Sequence, residues 1–213
     1  MVLKSTQYLT HSLKYTAQNK KLNELNEKYH IYDNGAEECT IELSEAIKCL
    51  ACCCTFSRAV IDVDRSLLSQ KLRTQLEHKG YYLEVFNSHE RAGVFYGLYH
   101  GMIGEVINWI CPEYHMSIHT RKVQGDVEVY YKGDLTMCQQ IVEKLREKGM
   151  KASSRESIEF EMGINRMIEL GEYNIKFIKS IRMIINEELA TNLTQRKEFI
   201  TNLSYIIHNI LTI

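Results

Sequence analysis

The hydrophobic period of this chain changes in its middle, and that change limits what it can fold into. "YYLEVFN" (81–87), "HMSIHTRKVQ" (115–124) and "DVEVYYKG" (126–133) alternate with the period of two expected of strands. Gly125-Asp126 between the last two predicts a hairpin. Around them the apolar residues recur every three or four positions. Leu3, Leu9, Leu13, Leu22 and Leu25 predict one or two helices over 3–29, ahead of the turn "YDNGAEE" at 32–38. "TIELSEAIKCLACCCTFSRAV" (40–60) predicts an apolar helix, with Thr40 as its cap and Glu42 and Glu45 near its positive end. A helix with Leu67, Leu68, Leu72 and Leu76 on one face ends at Gly80. Another spans about 93–111 and stops before Pro112, and a third covers 135–149 with Gly149 as its cap. Residues 157–213 read as helix with a break near Gly171. The expected fold class is α+β, with N-terminal helices and an antiparallel sheet. Its core runs strand, helix, strand, strand, with a glycine-rich helix packed on the sheet. The expected division is a ligand-binding domain over 1–155 and a helical dimerisation and signalling tail over 156–213.

The helix "GVFYGLYHGMIGEV" (93–106) places Gly93, Gly97, Gly101 and Gly104 on one face. Each glycine inside a helix costs about 1 kcal/mol relative to alanine. Such a stripe implies close approach of something to that face. Two readings stand: plain helix–sheet packing, or the wall of a pocket for a small apolar or amphipathic molecule. Tyr96, Tyr99, His100 and Trp109 suit either one.

Net charge is −1, which gives no electrostatic ground for a nucleic-acid or anionic-membrane partner. No apolar run approaches the roughly 20 residues of a membrane span, and the first residues show no signal-peptide core. A cytoplasmic location is the expectation. The 7 cysteines are odd in number and crowded at Cys49, Cys52, Cys53 and Cys54, a poor disulfide framework. On a helix Cys49, Cys52 and Cys53 would share a face. They form an incomplete zinc set, beside the alternatives of core packing or a thiol sensor. No acid pair, triad or phosphate loop stands at a useful spacing, so no catalytic residue is assigned and the chain reads as a non-enzyme.

The stretch "YYLEVFNSHERAGVFYGLYHGMIGEVINWICPEYHMSIHTRKVQGDVEVYY" resembles the C-terminal half of haem nitric-oxide/oxygen-binding (H-NOX) sensor domains and the related vinyl-reductase-like ligand-binding domains. In those sensors a strand ends in Tyr-x-Ser-x-Arg, which holds the haem propionates. Phe86, Ser88 and Arg91 stand at the corresponding strand end here. The resemblance implies an anionic ligand contacted by Ser88 and Arg91, in a pocket lined by Phe86, Tyr96, Gly97, His100, Gly101 and Trp109. It does not bring the upstream axial histidine, since no histidine lies between His30 and His78. The cofactor stays open, with neither haem nor zinc favoured.

In the tail, Ile175, Ile178, Ile181, Ile185, Leu189, Leu193, Ile200, Leu203, Ile207 and Ile210 form a seam for another helix. It packs either on its own domain or across a homodimer. "KEFITNLSYIIHNILTI" is similar to the first dimerisation helix of sensor histidine kinases, with Tyr205 at the phosphoacceptor position. Tyrosine cannot take phosphate on nitrogen, so the resemblance implies a degenerate helix without phosphotransfer. Together the two resemblances imply a dimeric sensory or regulatory protein, signalling to a kinase or response regulator by a ligand-biased shift. The alternatives are a ligand-free scaffold that binds a kinase through its tail and, less favoured, a haem gas sensor.

Overall fold

The computed structural model describes residues 33–53, 89–131, 135–156 and 179–211; for 89–96 it describes the backbone alone. All of these lie in one compact unit, Asp33–Ile213. The expected helices over 3–29 and 66–80, the strand at 81–87 and the break near Gly171 fall outside the described residues.

The described elements run α1 (Ala36–Ile47), α2 (His89–Ile110), β1 (Tyr114–Arg121), β2 (Val127–Tyr131), α3 (Thr136–Glu147), β3 (Ala152–Glu156), β4 (Lys179–Asn186), α4 (Glu187–Thr191) and α5 (Leu193–Leu211). The class is α+β, but the sheet is mixed rather than antiparallel. Its strand order is β1-β4-β2-β3. β1 and β4 are parallel, β4 and β2 antiparallel, and β2 and β3 parallel. The expected hairpin is therefore absent: β1 and β2 flank β4 instead of pairing with each other.

The expected all-helical tail is corrected by the same strand. "KSIRMIIN" is the second strand of the sheet, flanked on both sides. Ile181, Met183 and Ile185 are buried on one face and Ile184 on the other, so the run loses the clean alternation that marks a half-exposed strand. Asn186, at the end of β4, fixes the neighbouring connection. Its Nδ2 donates to the carbonyls of Val123 and Gly125 at 3.0 Å each, and its Oδ1 accepts from the Glu188 N–H, capping α4.

Alternation sorts the sheet into two unlike faces. Ile118, Met183 and Val129 are in register, as are Met116, Ile181 and Tyr131. This face carries the core. α1 covers it with Cys39 and Leu43, α3 with Cys138, Ile141, Val142 and Leu145, and α5 with Phe199, Ile200, Leu203, Ile206 and Ile207. The apolar seam of α5 is thus buried on its own chain, which removes the ground for a dimerisation helix. Tyr205 lies on the outer face of α5, 62% exposed, with the Lys148 ammonium 5.7 Å from its ring centroid.

α1 begins earlier and ends sooner than expected. Gly35 precedes it at φ +82°, and a Cβ there would stand 2.8 Å from the Ala190 backbone, so both conformation and space require glycine. The helix stops at Ile47, where Lys48 turns left-handed (φ 55°) and the Cys49 N–H returns to the Ser44 carbonyl at 3.0 Å. Residues 48–53 are not helical. α2 does end before Pro112, with Cys111 at φ 46°, and Gly149 follows α3 at φ 83°.

Candidate functional site

The opposite face of the sheet is polar. From β1 it receives His115, Ser117, His119 and Arg121, from β4 Ser180, Arg182 and Asn186, from β2 Glu128 and Tyr130, and from β3 Arg155. Ile184 is the apolar residue among them and is buried.

At the carboxyl end of the parallel pair β1–β4, His119 Nδ1 lies 2.8 Å from Asp33 Oδ2. The two side chains are 14% and 17% exposed, so water screens the pair little. Asp33 is held from several sides. The Ala36 N–H donates to its carbonyl at 3.0 Å, Asn34 donates to Glu187 at the start of α4, and Gly35 lies against Ala190. A carboxylate on a clamped turn facing an imidazole on a strand is a preorganised pair. With Nδ1–H donated to Asp33, the neutral imidazole is held in the tautomer whose lone pair is on Nε2.

Beside it stands a second cluster. Glu128 is buried (side chain 8% exposed), yet it has three partners. Tyr130 donates to its Oε2 at 2.8 Å, Arg155 Nη2 lies 3.1 Å from Oε1, and Arg121 Nη2 lies 3.5 Å from Oε2. Arg121 Nη2 also donates to the Tyr130 hydroxyl at 3.0 Å. Burial, and then the bond to Glu128, push the Tyr130 pKa above its ordinary value, so the hydroxyl remains a donor at neutral pH. On α1, Glu42 Oε1 accepts from Arg196 Nε and Nη2 at 3.2 and 3.0 Å, which ties that helix to α5.

The residues expected to form a site are placed differently. Phe86 and Ser88 lie outside the described residues, as do the side chains of Arg91 and Tyr96. His100 is buried on α2, edge-on to Tyr99 with ring centroids 5.3 Å apart. Gly97 and Gly101 face outward, and a Cβ on either would meet nothing within 4 Å. Trp109 is 74% exposed on the same helix. Cys49 is exposed and Cys52 and Cys53 half-buried, on the non-helical stretch after α1. Burial raises the pKa of Cys52, so it stays a thiol at neutral pH. Among the described residues no three histidine, cysteine or acidic side chains gather as a metal site.

Sequence reasoning passed over Asp33, His119, Arg121, Glu128, Tyr130 and Arg155. The signal for part of the set was the alternation in "HMSIHTR", where Met116 and Ile118 face the core and the polar residues between them share the other face.

No protein-family model matches the chain, and no curated protein matches it. Solved structures do. The gene product Atu2144 of Agrobacterium tumefaciens superposes with a TM-score of 0.66 at 12% identity, covering 92% of this chain and 82% of that one. N-formylglutamate amidohydrolase of Ralstonia eutropha JMP134 superposes with a TM-score of 0.55 at 15% identity, covering 81% of each chain. The fold is therefore one that an amidohydrolase uses. This overturns the haem-sensor and vinyl-reductase-like resemblance, whose arrangement the mixed sheet does not follow. The sensory reading, its degenerate kinase helix and the scaffold alternative fall with it. The non-enzyme reading is corrected too, because it rested on motifs absent from the linear sequence, and the fold brings Asp33 and His119 together from 86 positions apart.

Proposed function

We propose that this chain hydrolyses an amide bond, with His119 as base and Asp33 as the acid that orients it. The observation that carries the reading is the 2.8 Å His119–Asp33 contact at the carboxyl end of the parallel strands β1 and β4. Open sheets with parallel strands bind ligands at that end. The fold shared with an amidohydrolase supports the choice of reaction.

The chemistry follows from the pair. Asp33 accepts the Nδ1 proton and so fixes the tautomer with a basic Nε2. Nε2 takes a proton from a water as its oxygen adds to the amide carbonyl carbon. The imidazolium formed is stabilised by the carboxylate. It returns the proton to the nitrogen as the C–N bond breaks, releasing an acid and an amine. A carboxylate–histidine pair also orients an imidazole that binds a metal. A metal bound there would occupy the Nε2 lone pair, so it would replace the base role of His119 and not add to it.

The test is proton NMR of the purified chain with a panel of N-formyl and N-acetyl amino acids and short acyl peptides. N-formyl-L-glutamate is included because the Ralstonia neighbour is named for it. Release of free acid and amine from at least one member, first order in protein, is expected. No cleavage across the panel, with and without added divalent metal, refutes the proposal.

A further inference from the structure

We infer that Arg121 and Arg155 form a subsite for a carboxylate group carried by the amide substrate. The inference rests on the hydrolytic reading for the word substrate, and on the Glu128 cluster for the site itself. Two guanidinium groups converge on the single carboxylate of Glu128, so the cluster keeps a net positive charge. One arginine with the Tyr130 hydroxyl would already neutralise and bond Glu128, and the second cation is surplus to that need. The arginines come from the two outer strands of the sheet, Arg121 reaching across β4 and Arg155 from β3. Their side chains are 46% and 58% exposed, while Glu128 beneath them is 8% exposed. Each guanidinium carries five N–H donors. Within the described residues both bond through Nη2, which leaves Nε and Nη1 of each for a ligand. The buried carboxylate and neutral tyrosine thus hold two forks in place for an anion from solvent.

The position of the cluster sets the ligand class. Arg121 lies two residues beyond His119 on the same strand face, about 6.6 Å along β1. His119 and Glu128 pair with Ile184 from its two sides, so dyad and cluster flank one buried apolar residue. A ligand that meets both carries an amide, a short aliphatic spacer over Ile184, and a carboxylate.

The experiment uses 4-acetamidobutyrate and its neutral analogue 4-acetamidobutanamide, which differ only in the terminal carboxylate. Binding to the full chain is measured by calorimetry at low and high salt. The carboxylate is expected to bind at least about tenfold tighter at low salt, with the ratio shrinking as salt screens the charge. In Arg155→Gln and in Arg121→Gln, each of which removes the surplus charge and leaves one arginine on Glu128, the ratio is expected to fall towards one. Equal binding of the two probes by the unaltered chain overturns the inference, as does an unchanged ratio in both folded variants. A retained preference with no amide cleaved anywhere in the panel refutes the hydrolytic reading and leaves the subsite standing.

Discussion

Replacing Arg196 with methionine tests how the frame of the site is held. Arg196 is buried at the start of α5 and makes three bonds: Nε and Nη2 to Glu42 Oε1, and Nη1 to the Ala190 carbonyl at 2.9 Å. Ala190 also abuts Gly35, beside the turn that carries Asp33. Exposed ion pairs contribute about 0–1 kcal/mol, and breaking a fully buried one costs about 3–5 kcal/mol. The side chains here are 11% and 27% exposed, between those limits. Glu42 Oε2 is already buried without a hydrogen-bond partner, so it cannot compensate. The expected loss for Arg196→Met is therefore about 2–3 kcal/mol. Glu42→Gln keeps an acceptor oxygen and should cost about 1 kcal/mol. Urea unfolding of the two single variants and the double variant closes a double-mutant cycle. The double variant should fall short of the summed losses by about 1–2 kcal/mol, because the second change removes a charge the first has stranded. Additivity within about 0.5 kcal/mol would refute the reasoning and mark the pair as incidental.

Cys39 predicts a pH dependence. Burial pushes its thiol from 9.0 up to about 12, roughly 4 kcal/mol in favour of the neutral form. The unfolded chain loses this proton first, so the stability is fully present below pH 9 and declines as pH rises towards 12. Relative to Cys39→Ala, the unaltered chain should lose about 2 kcal/mol more between pH 9 and about 10.5, read from urea midpoints; parallel profiles would contradict this. Gly97→Ala and Gly101→Ala should each stabilise the protein by up to about 1 kcal/mol, since the added methyl meets nothing within 4 Å and helix propensity improves. A lower melting temperature in either variant would show that this face has a packing partner.

Much of the local structure was legible. The alternation in 115–124 and 126–133 marked β1 and β2, Pro112 set the end of α2, and Gly149 marked the exit from α3. The pairing was not legible. Gly125-Asp126 looked like a hairpin turn, but the Gly125 and Val123 carbonyls are bonded by Asn186, a residue that sequence proximity cannot supply. β4 was hidden because Ile181, Met183, Ile184 and Ile185 are buried on both faces and also satisfy a helical spacing. Missing that strand made α5 a spare helix with an unexplained apolar seam. Once β4 is in place, Phe199, Leu203 and Ile207 are core residues. The site was hidden for the same reason: Asp33 and His119 meet only after the sheet and α1 assemble.

The most direct test of the account compares the unaltered chain with His119→Ala in one amide-hydrolysis assay, both checked for native circular dichroism. Removing a general base costs about 10²–10⁴ in rate. The account predicts that cleavage of the best N-acyl substrate falls by about a thousandfold in the variant. Equal rates in the two proteins would contradict it and remove His119 from the chemistry.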